Sequence, residues 1–307
     1  MRLGVLDVGS NTVHLLAVDA HRGAHPWPTH SEKTVLRLAD ELGPGGSISP
    51  ASAAALVEAV AAARRAADPL GLDDFLAFAT SAVRDAANGP AVLRQVREST
   101  GVDLQVLPGE DEARTTFLAA RRWFGWSAGT LLVVDIGGGS LELAAGLDEE
   151  PELALSLPLG AGRLTRDHLR GADPPSAEAV AGLAAYVDAA LEPVLEKLAG
   201  IGWDRAVATS KTLRSLARLA GAAPSAAGHW VPRQLTVTGL HQVLGFIRHI
   251  PTPALAGMDG VSARRAHQLL AGAVVTATIM RRLKVEVLHQ CPWALREGVI
   301  LRRLDLT

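Results

Sequence analysis

The sequence is short of several residue types, and each shortage excludes something. One cysteine in 307 residues, Cys291, leaves no internal disulfide, which suits a reducing cytoplasm. Aromatic residues reach only 4% and do not interleave with basic ones, so stacking platforms for single-stranded nucleic acid are not expected. An excess of either charge is also missing. Thirty Lys and Arg against 32 Asp and Glu give a formal net charge of −2. That balance rules out holding nucleic acid or a membrane by bulk charge, while leaving a local basic pocket open. Lysine stands only at positions 33, 197, 211 and 284, and with the wealth of Ala and Gly this reads as a GC-rich coding bias. The longest apolar run, Leu269–Met280, is 12 residues, short of the roughly 20 that a membrane helix needs. The chain opens on Arg2-Leu3-Gly4-Val5-Leu6-Asp7, without room for a signal peptide's apolar stretch and cleavage site. What is present, 48% hydrophobic residues, is enough for sizeable cores in two domains.

Apolar runs of strand length alternate with segments of helical period, the pattern of an α/β fold. Leu3–Leu6 reads as a buried strand, Gly9-Ser10-Asn11 as a turn, and Val13–Asp19 as the returning arm of a hairpin. Pro50–Asp68 reads as a helix with Leu56, Val60 and Ala63 on one face and Arg64 and Arg65 outward. Strands are expected at Phe75–Ala79 and Val102–Leu107, and helices at Val92–Ser99, after the Gly89-Pro90 break, and at Glu110–Phe124. A Gly-flanked joint, Gly125-Trp126-Ser127-Ala128-Gly129, divides the chain into expected domains 1–125 and 126–307. Beyond it the opening theme restarts. Leu131–Val134 runs into Asp135-Ile136-Gly137-Gly138-Gly139-Ser140 and returns as Leu141–Ala145, with Asp135 lying 128 residues after Asp7. That period is far beyond the roughly 20–50 residues of stacked repeats, so it reads as a duplicated domain. The remainder reads as mostly helical, at Ala177–Leu198, Thr212–Ala220, Thr238–Ile250, Ala263–Leu283 and Ala294–Leu304.

Tight turns rich in Gly, Ser, Asn and Thr present several backbone N–H groups to one point and so bind phosphate oxygens. The Asp closing each preceding strand cannot hold a phosphate, but it can hold a magnesium ion or its waters. Either turn alone is equally a plain hairpin. Two with the same Asp and the same strand context make a phosphate clamp.

Asp7-Val8-Gly9-Ser10-Asn11-Thr12-Val13-His14-Leu15 resembles the first phosphate motif of the exopolyphosphatase / guanosine pentaphosphate phosphohydrolase family, within the actin–sugar kinase–Hsp70 superfamily. Four more blocks match in order: Ala79 to Ala86, Gly109 to Arg114, Asp135 to Glu142, and Leu295-Arg296-Glu297-Gly298. Leu157 to Thr165 is a further family-like segment. Together they cover nearly the whole chain and match the short, two-domain form. The resemblance implies two actin-like (ribonuclease H-like) domains with the active site between them, and a last segment, 294–307, that packs back on the first. It implies a cytoplasmic, homodimeric exopolyphosphatase that removes terminal orthophosphate from inorganic polyphosphate with magnesium, or manganese in its place. Glu112 would then activate the water, and Ser10, Asn11, Thr12, Arg84, Gly137, Gly138, Gly139 and Ser140 would hold phosphates. Asp7, Asp135 and Glu142 would lie at the metal.

Each assignment has a plainer reading. Glu110, Asp111 and Glu112 all suit a helix N-terminus; Glu142 also reads as a solvated strand residue, and Arg84 as the partner of Asp85. Ala206-Val207-Ala208-Thr209-Ser210-Lys211-Thr212 stands where relatives carry a Gly-rich turn, and Ser210 and Lys211 would crowd an adenosine ring. Lys211, Arg214 and Arg218 form one helical stripe, either a phosphate track, with Lys211 as a phosphate ligand, or a solvated basic face. Two rival functions follow: guanosine pentaphosphate 5′-phosphohydrolase, and a non-catalytic sensor of polyphosphate or an alarmone. His21, His25 and His30 lie in a Pro-interrupted loop without metal-ligand spacing. Cys291 reads as a packed thiol, and Ala263–Leu283 as core or a dimer face.

Overall fold

The computed structural model describes residues 1–23, 25–38, 42 and 44–306. Contacts divide the chain into two units: Met1–Thr115 together with the segment from Leu295, and Thr116–Ala294. The division falls ahead of the Gly125–Gly129 joint, with Arg121 donating to the Gly125, Gly129 and Gly146 carbonyls inside the second unit.

The first unit's sheet holds β1 (Arg2–Val8), β2 (Thr12–Asp19), β3 (Pro28–Val35), β4 (Asp74–Ala79) and β5 (Gln105–Val106), in the order β3-β2-β1-β4-β5. β1 runs antiparallel to β2 and parallel to β4; β2 is antiparallel to β3, and β4 parallel to β5. The helices are α1 (Pro50–Ala67), the single turn α2 (Ser81–Arg84), α3 (Gly89–Thr100) and α4 (Gly109–Phe124). One face of the sheet places Leu6, Val8 and Leu15 in a core with Leu56, Val60, Val92 and Val96 of α1 and α3. The other joins Leu3, Val5, Val18 and Phe78 to Ile300 and Leu304 near the C-terminus. Covering both faces is what a central strand as uniformly apolar as β1 requires.

Three local expectations change here. Pro90 sits in the first turn of α3, where its missing N–H costs nothing, so Gly89-Pro90 opens the helix instead of preceding it. Only Gln105–Val106 of the expected strand Val102–Leu107 pairs. His30 is not in a loop but on β3, an edge strand with no fully buried residue; a strand without an apolar face shows no alternation to read.

The second unit's sheet holds β6 (Leu131–Ile136), β7 (Leu141–Gly146), β8 (Leu153–Leu157), β9 (Arg205–Ala208), β10 (Gln234–Thr236) and β11 (Val287–Gln290), in the order β8-β7-β6-β9-β11-β10. β6 is antiparallel to β7 and parallel to β9, β7 antiparallel to β8, and β9 parallel to β11. The first five positions therefore repeat the first sheet in order and direction, and β10 is an added antiparallel edge. This half is mostly helical as expected, and the short strands β8 to β11, each three to five residues long, are additions the sequence reading did not include. The helices are α5 (Ala161–His168), α6 (Ala177–Ala199), α7 (Lys211–Leu219), α8 (Val237–Ile247), α9 (Thr252–Ala256) and α10 (Leu269–Arg282). Ala263–Gln268 forms a separate 3-10 segment ahead of α10, and α10 is core: Leu269, Ala273, Thr276 and Met280 are all buried. Among the described residues no helix is long and apolar enough to cross a membrane.

The repeat extends past the sheets. The Leu107 N–H donates to the Ala79 carbonyl at 3.1 Å, and the Cys291 N–H to the Ala208 carbonyl at 2.8 Å. Each is followed by a proline and then a helix, α4 in one case and α11 (Leu295–Asp305) in the other. Glu112 and Arg296 thus hold corresponding positions. A Cβ on Gly298 would lie 2.0 Å from the Thr115 carbonyl oxygen, so glycine is what lets α11 approach the backbone of α4.

One titration bears on stability. Burial, with Arg205 nearby, pushes the His289 imidazole on β11 below its ordinary value of 6.5. Below about pH 6.5 the unfolded chain takes up a proton that the folded chain resists. The stability this residue contributes is therefore complete above pH 6.5 and lost as pH falls through the folded value. Urea midpoints measured from pH 7 to pH 5 should fall, and His289→Gln should flatten that slope.

Candidate active site

In the first unit, Asp7 faces His14 across the β1–β2 hairpin, and the turn closes with the Gly9 N–H donating to the Thr12 carbonyl at 2.9 Å. Ser10 and Asn11 are buried. The Ser10 hydroxyl meets that of Ser81 at 3.1 Å, and the Asn11 carbonyl accepts from the Leu36 and Arg37 N–H groups at 3.1 and 3.3 Å. Ser10, Asn11 and Thr12 therefore form a turn whose shape is fixed from outside itself.

Of the three acids opening α4, Glu110 is exposed and Asp111 half-buried, while Glu112 is 6% exposed. A carboxylate at that depth needs a partner, and α2 delivers one. Arg84 Nη1 donates to Glu112 Oε1 and, at 3.1 Å, to the Leu107 carbonyl; its Nε donates to Asp85 Oδ1 at 3.0 Å. The Asp85 pairing read from the sequence is present. The contact with Glu112 was not foreseen, because it joins residues 28 apart through the parallel pairing of β4 and β5.

In the second unit, Asp135 and Glu142 stand directly opposite each other in the β6–β7 register. Glu142 is buried and accepts from the Ser156 hydroxyl at 2.9 Å, so it is not a solvated strand residue. Burial raises the Asp135 carboxyl above the usual carboxylate range, opposed by the Thr209 hydroxyl and the charges of Arg214 and Arg265. The Thr209 bond measures 2.6 Å.

Between these acids, the Gly137–Ser140 turn is held by α5. The Gly137 carbonyl accepts from the Ala161 N–H, the Gly138 carbonyl from the Arg163 N–H, and the Gly139 carbonyl from Arg163 Nε, each at 2.9 Å. In a trans peptide the carbonyl and the next N–H point in opposite directions. With three carbonyls turned to α5, the N–H groups of Gly138, Gly139 and Ser140 point the other way, a concentrated donor set for an anion. The same bonds satisfy donors at the α5 N-terminus. Gly160 makes this possible: a Cβ there would lie 2.3 Å from both the Gly139 carbonyl carbon and the Ser140 nitrogen. Gly160→Ala should lower kcat/KM for a phosphate substrate by about 10–100-fold, since a shift near 1 Å is costly to positioning. Circular dichroism of the variant should match the parent.

Lys211 opens α7, and the Ser210 hydroxyl caps that helix by accepting from the Leu213 N–H at 3.3 Å. Arg218 pairs with Asp259 and donates to the Ala222 carbonyl at 3.1 Å. Lys211, Arg214 and Arg218 all line one cavity of about 210 Å³ with Gln290 and Cys291, so the stripe faces a single space although Arg218 is engaged there by Asp259.

Magnesium takes oxygen ligands, often one or two carboxylates completed by substrate phosphates. Asp135 with Glu142, and Asp7 at the end of β1, supply donors of that kind. Among the described residues no group of three or more His, Cys, Asp or Glu could hold a metal ion. Sequence reading missed Ser81, Ser156, Thr209, Arg265 and the role of Gly160. Ser81, Thr209 and Gly160 lie inside segments the sequence singled out, Ala79–Ala86, Ala206–Thr212 and Leu157–Thr165, while Ser156 and Arg265 left no mark.

Two mixed α/β sheets that share one order over five strands, each with an Asp next to the end of a strand that leads into a hairpin turn, define an actin-like two-domain fold. The chain belongs to the Ppx/GppA phosphatase family, whose model matches residues 17–307. It is 57% identical over 306 residues to Exopolyphosphatase 1 of Mycobacterium tuberculosis strain H37Rv, covering 99% of this chain and 89% of that one. A guanosine-5′-triphosphate,3′-diphosphate pyrophosphatase of Aeromonas salmonicida is 26% identical, over 96% of this chain and 58% of that one. The crystal structure of an exopolyphosphatase from Cytophaga hutchinsonii matches with a TM-score of 0.88 at 22% identity, over 100% of this chain and 99% of that one.

Proposed function

We propose that the protein is an exopolyphosphatase, releasing orthophosphate from the end of inorganic polyphosphate. The observation that carries this reading is Glu112, a carboxylate buried at a helix start and aimed by Arg84. A protein that only bound phosphate would have no use for a placed base. The much greater likeness to Exopolyphosphatase 1 supports polyphosphate over guanosine pentaphosphate. So does Ser210, committed to capping α7 in place of a Gly-rich turn.

In the reaction, a water attacks the terminal phosphorus in line with the bridging oxygen. Glu112 accepts the water's proton as the new P–O bond forms. The bond to the bridging oxygen breaks, and the chain leaves one phosphate shorter. The N–H groups of Gly138, Gly139 and Ser140 and the Ser10–Thr12 turn hold phosphate oxygens, and Lys211 contributes charge. A magnesium ion, or manganese in its place, would take carboxylate oxygens of Asp135 and Glu142 in the second unit, or of Asp7 in the first, and would supply charge neutralisation. A cytoplasmic homodimer belongs to the same reading, on family resemblance. Orthophosphate release from short polyphosphate, long polyphosphate, guanosine pentaphosphate and ATP, compared with magnesium present, tests it. Release confined to guanosine pentaphosphate would replace the reading by that nucleotide's hydrolysis. Binding without release from any of the four would make the protein a sensor.

A further inference from the structure

We propose that the cavity between α7 and the end of β11 is a second phosphate subsite, where Gln290 and Arg214 hold units of the polyphosphate chain beyond the one being cleaved. The proposal rests on the exopolyphosphatase reading and extends it to the part of the substrate that does not react.

The cavity, of about 210 Å³, is lined by Lys211, Arg214 and Arg218 of α7, by Gln290 at the end of β11, and by Pro224 and Gly228 of the loop before β10. That loop is a built wall: the Arg233 guanidinium donates to the Ala223, Pro224 and Gly228 carbonyls at 2.9, 2.6 and 2.9 Å. Inside, polar groups are left over. Both side-chain polar atoms of Gln290 and the Nε atoms of Arg214 and Arg218 are buried without a hydrogen-bond partner. Asp259 engages Arg218, so the proposal falls on Gln290 and Arg214.

An unpaired buried amide works against folding, and its presence asks for a ligand. The repeat shows that the fold itself has no need of it. Gln290 pairs with Ala208 as Val106 pairs with Ala79, and the residue after each donates to that alanine's carbonyl. The twin of Gln290 is thus an apolar valine.

The position suits a chain. β6, β9 and β11 lie side by side and run parallel, and ligands of such sheets sit at the carboxyl ends of the strands. Asp135 stands near that end of β6 and Gln290 at that end of β11, two strand spacings or roughly 10 Å apart. Arg214 connects them, its charge acting on Asp135 while its side chain lines the cavity. With the terminal phosphate on the N–H groups of Gly138, Gly139 and Ser140, the following units run past Arg214 to Gln290. There the Gln290 amide N–H and the Arg214 guanidinium donate to phosphate oxygens, and a water of the ligand's shell donates to Gln290 Oε1. Pyrophosphate is too short to fill both ends of this path; a long chain fills both.

The test is binding of orthophosphate, pyrophosphate and long-chain polyphosphate, read by calorimetric titration with magnesium present. All variants share a full-length Glu112→Gln background, which slows hydrolysis in each alike. Gln290→Leu should weaken long-chain binding about tenfold, the worth of a hydrogen bond to a charged group, and leave pyrophosphate binding unchanged. The same substitution should raise the urea midpoint of the ligand-free protein, because it removes the orphaned amide; at a residue serving only the fold it would lower it. Should Gln290→Leu not fold, Arg214→Gln carries the test, lowering the ratio of long-chain to pyrophosphate affinity about tenfold. An unchanged ratio in both variants would overturn the subsite and leave the exopolyphosphatase reading in place. Orthophosphate or pyrophosphate binding weakened as much as that of the long chain would show that the cavity takes a loose anion, and would overturn its role in holding a chain. Absence of long-chain binding without either substitution would overturn the exopolyphosphatase reading and this proposal with it.

Discussion

Glu112→Gln should lower kcat for orthophosphate release from polyphosphate by about 10²–10⁴, the usual worth of a general base. The amide keeps the size of the side chain and still offers Arg84 an oxygen to bond, so the start of α4 should hold its shape. What it loses is the capacity to take a proton from the attacking water. KM should change little, because the turns proposed to hold phosphate are untouched. Glu110→Gln and Asp111→Asn, at the two more accessible acids of the same helix start, should behave nearly as the parent. That contrast would separate chemistry from any general effect of charge at the helix terminus. A Glu112→Gln protein with parental turnover would sink the assignment.

The largest effect on stability should come from Arg121, whose side chain is completely buried with its guanidinium among backbone carbonyls. It donates to Gly125 at 3.0 Å, to Gly129 at 2.7 Å and to Gly146 at 3.2 Å. Arg121→Met would orphan these carbonyls at about 1–3 kcal/mol each, partly offset by no longer burying a charge. Burial already pushes that guanidinium below its ordinary value. A net loss of about 3 kcal/mol is expected, lowering the thermal midpoint by roughly 6–12 °C. Arg121→Lys should recover only part of it, since an ammonium is a point donor without the planar fork. Denaturant melts agreeing within about 0.5 kcal/mol, the range of ordinary surface changes, would show that solvent replaces the guanidinium easily.

Legibility followed the range of each interaction. Asp7, Glu112, Asp135 and the Gly137–Ser140 turn could be read because each motif is a short stretch with its own backbone logic. Glu112 could be preferred to its neighbours only through resemblance, since burial and the Arg84 contact depend on which strands pair. β3 left no periodic trace because neither of its faces is buried. Gly160 lies in a segment the sequence singled out, but its necessity comes from backbone 20 and 21 residues earlier, at Ser140 and Gly139. The meeting of Arg214 with Gln290 in one cavity is set by which strand lies beside β9, which no local pattern encodes.

The repeated sheet order has a consequence for the division of labour between the halves. At corresponding places after the strand-and-proline step, one half carries an acid, Glu112, and the other a guanidinium, Arg296. A symmetric pair made from two identical half-length chains would put the same charge at both places. It could have two proton acceptors or two cations, never one of each. Tethering the halves in a single polypeptide lets the twin positions specialise separately, so that a near-repeat in architecture can serve a reaction in which the attacking and departing groups are different.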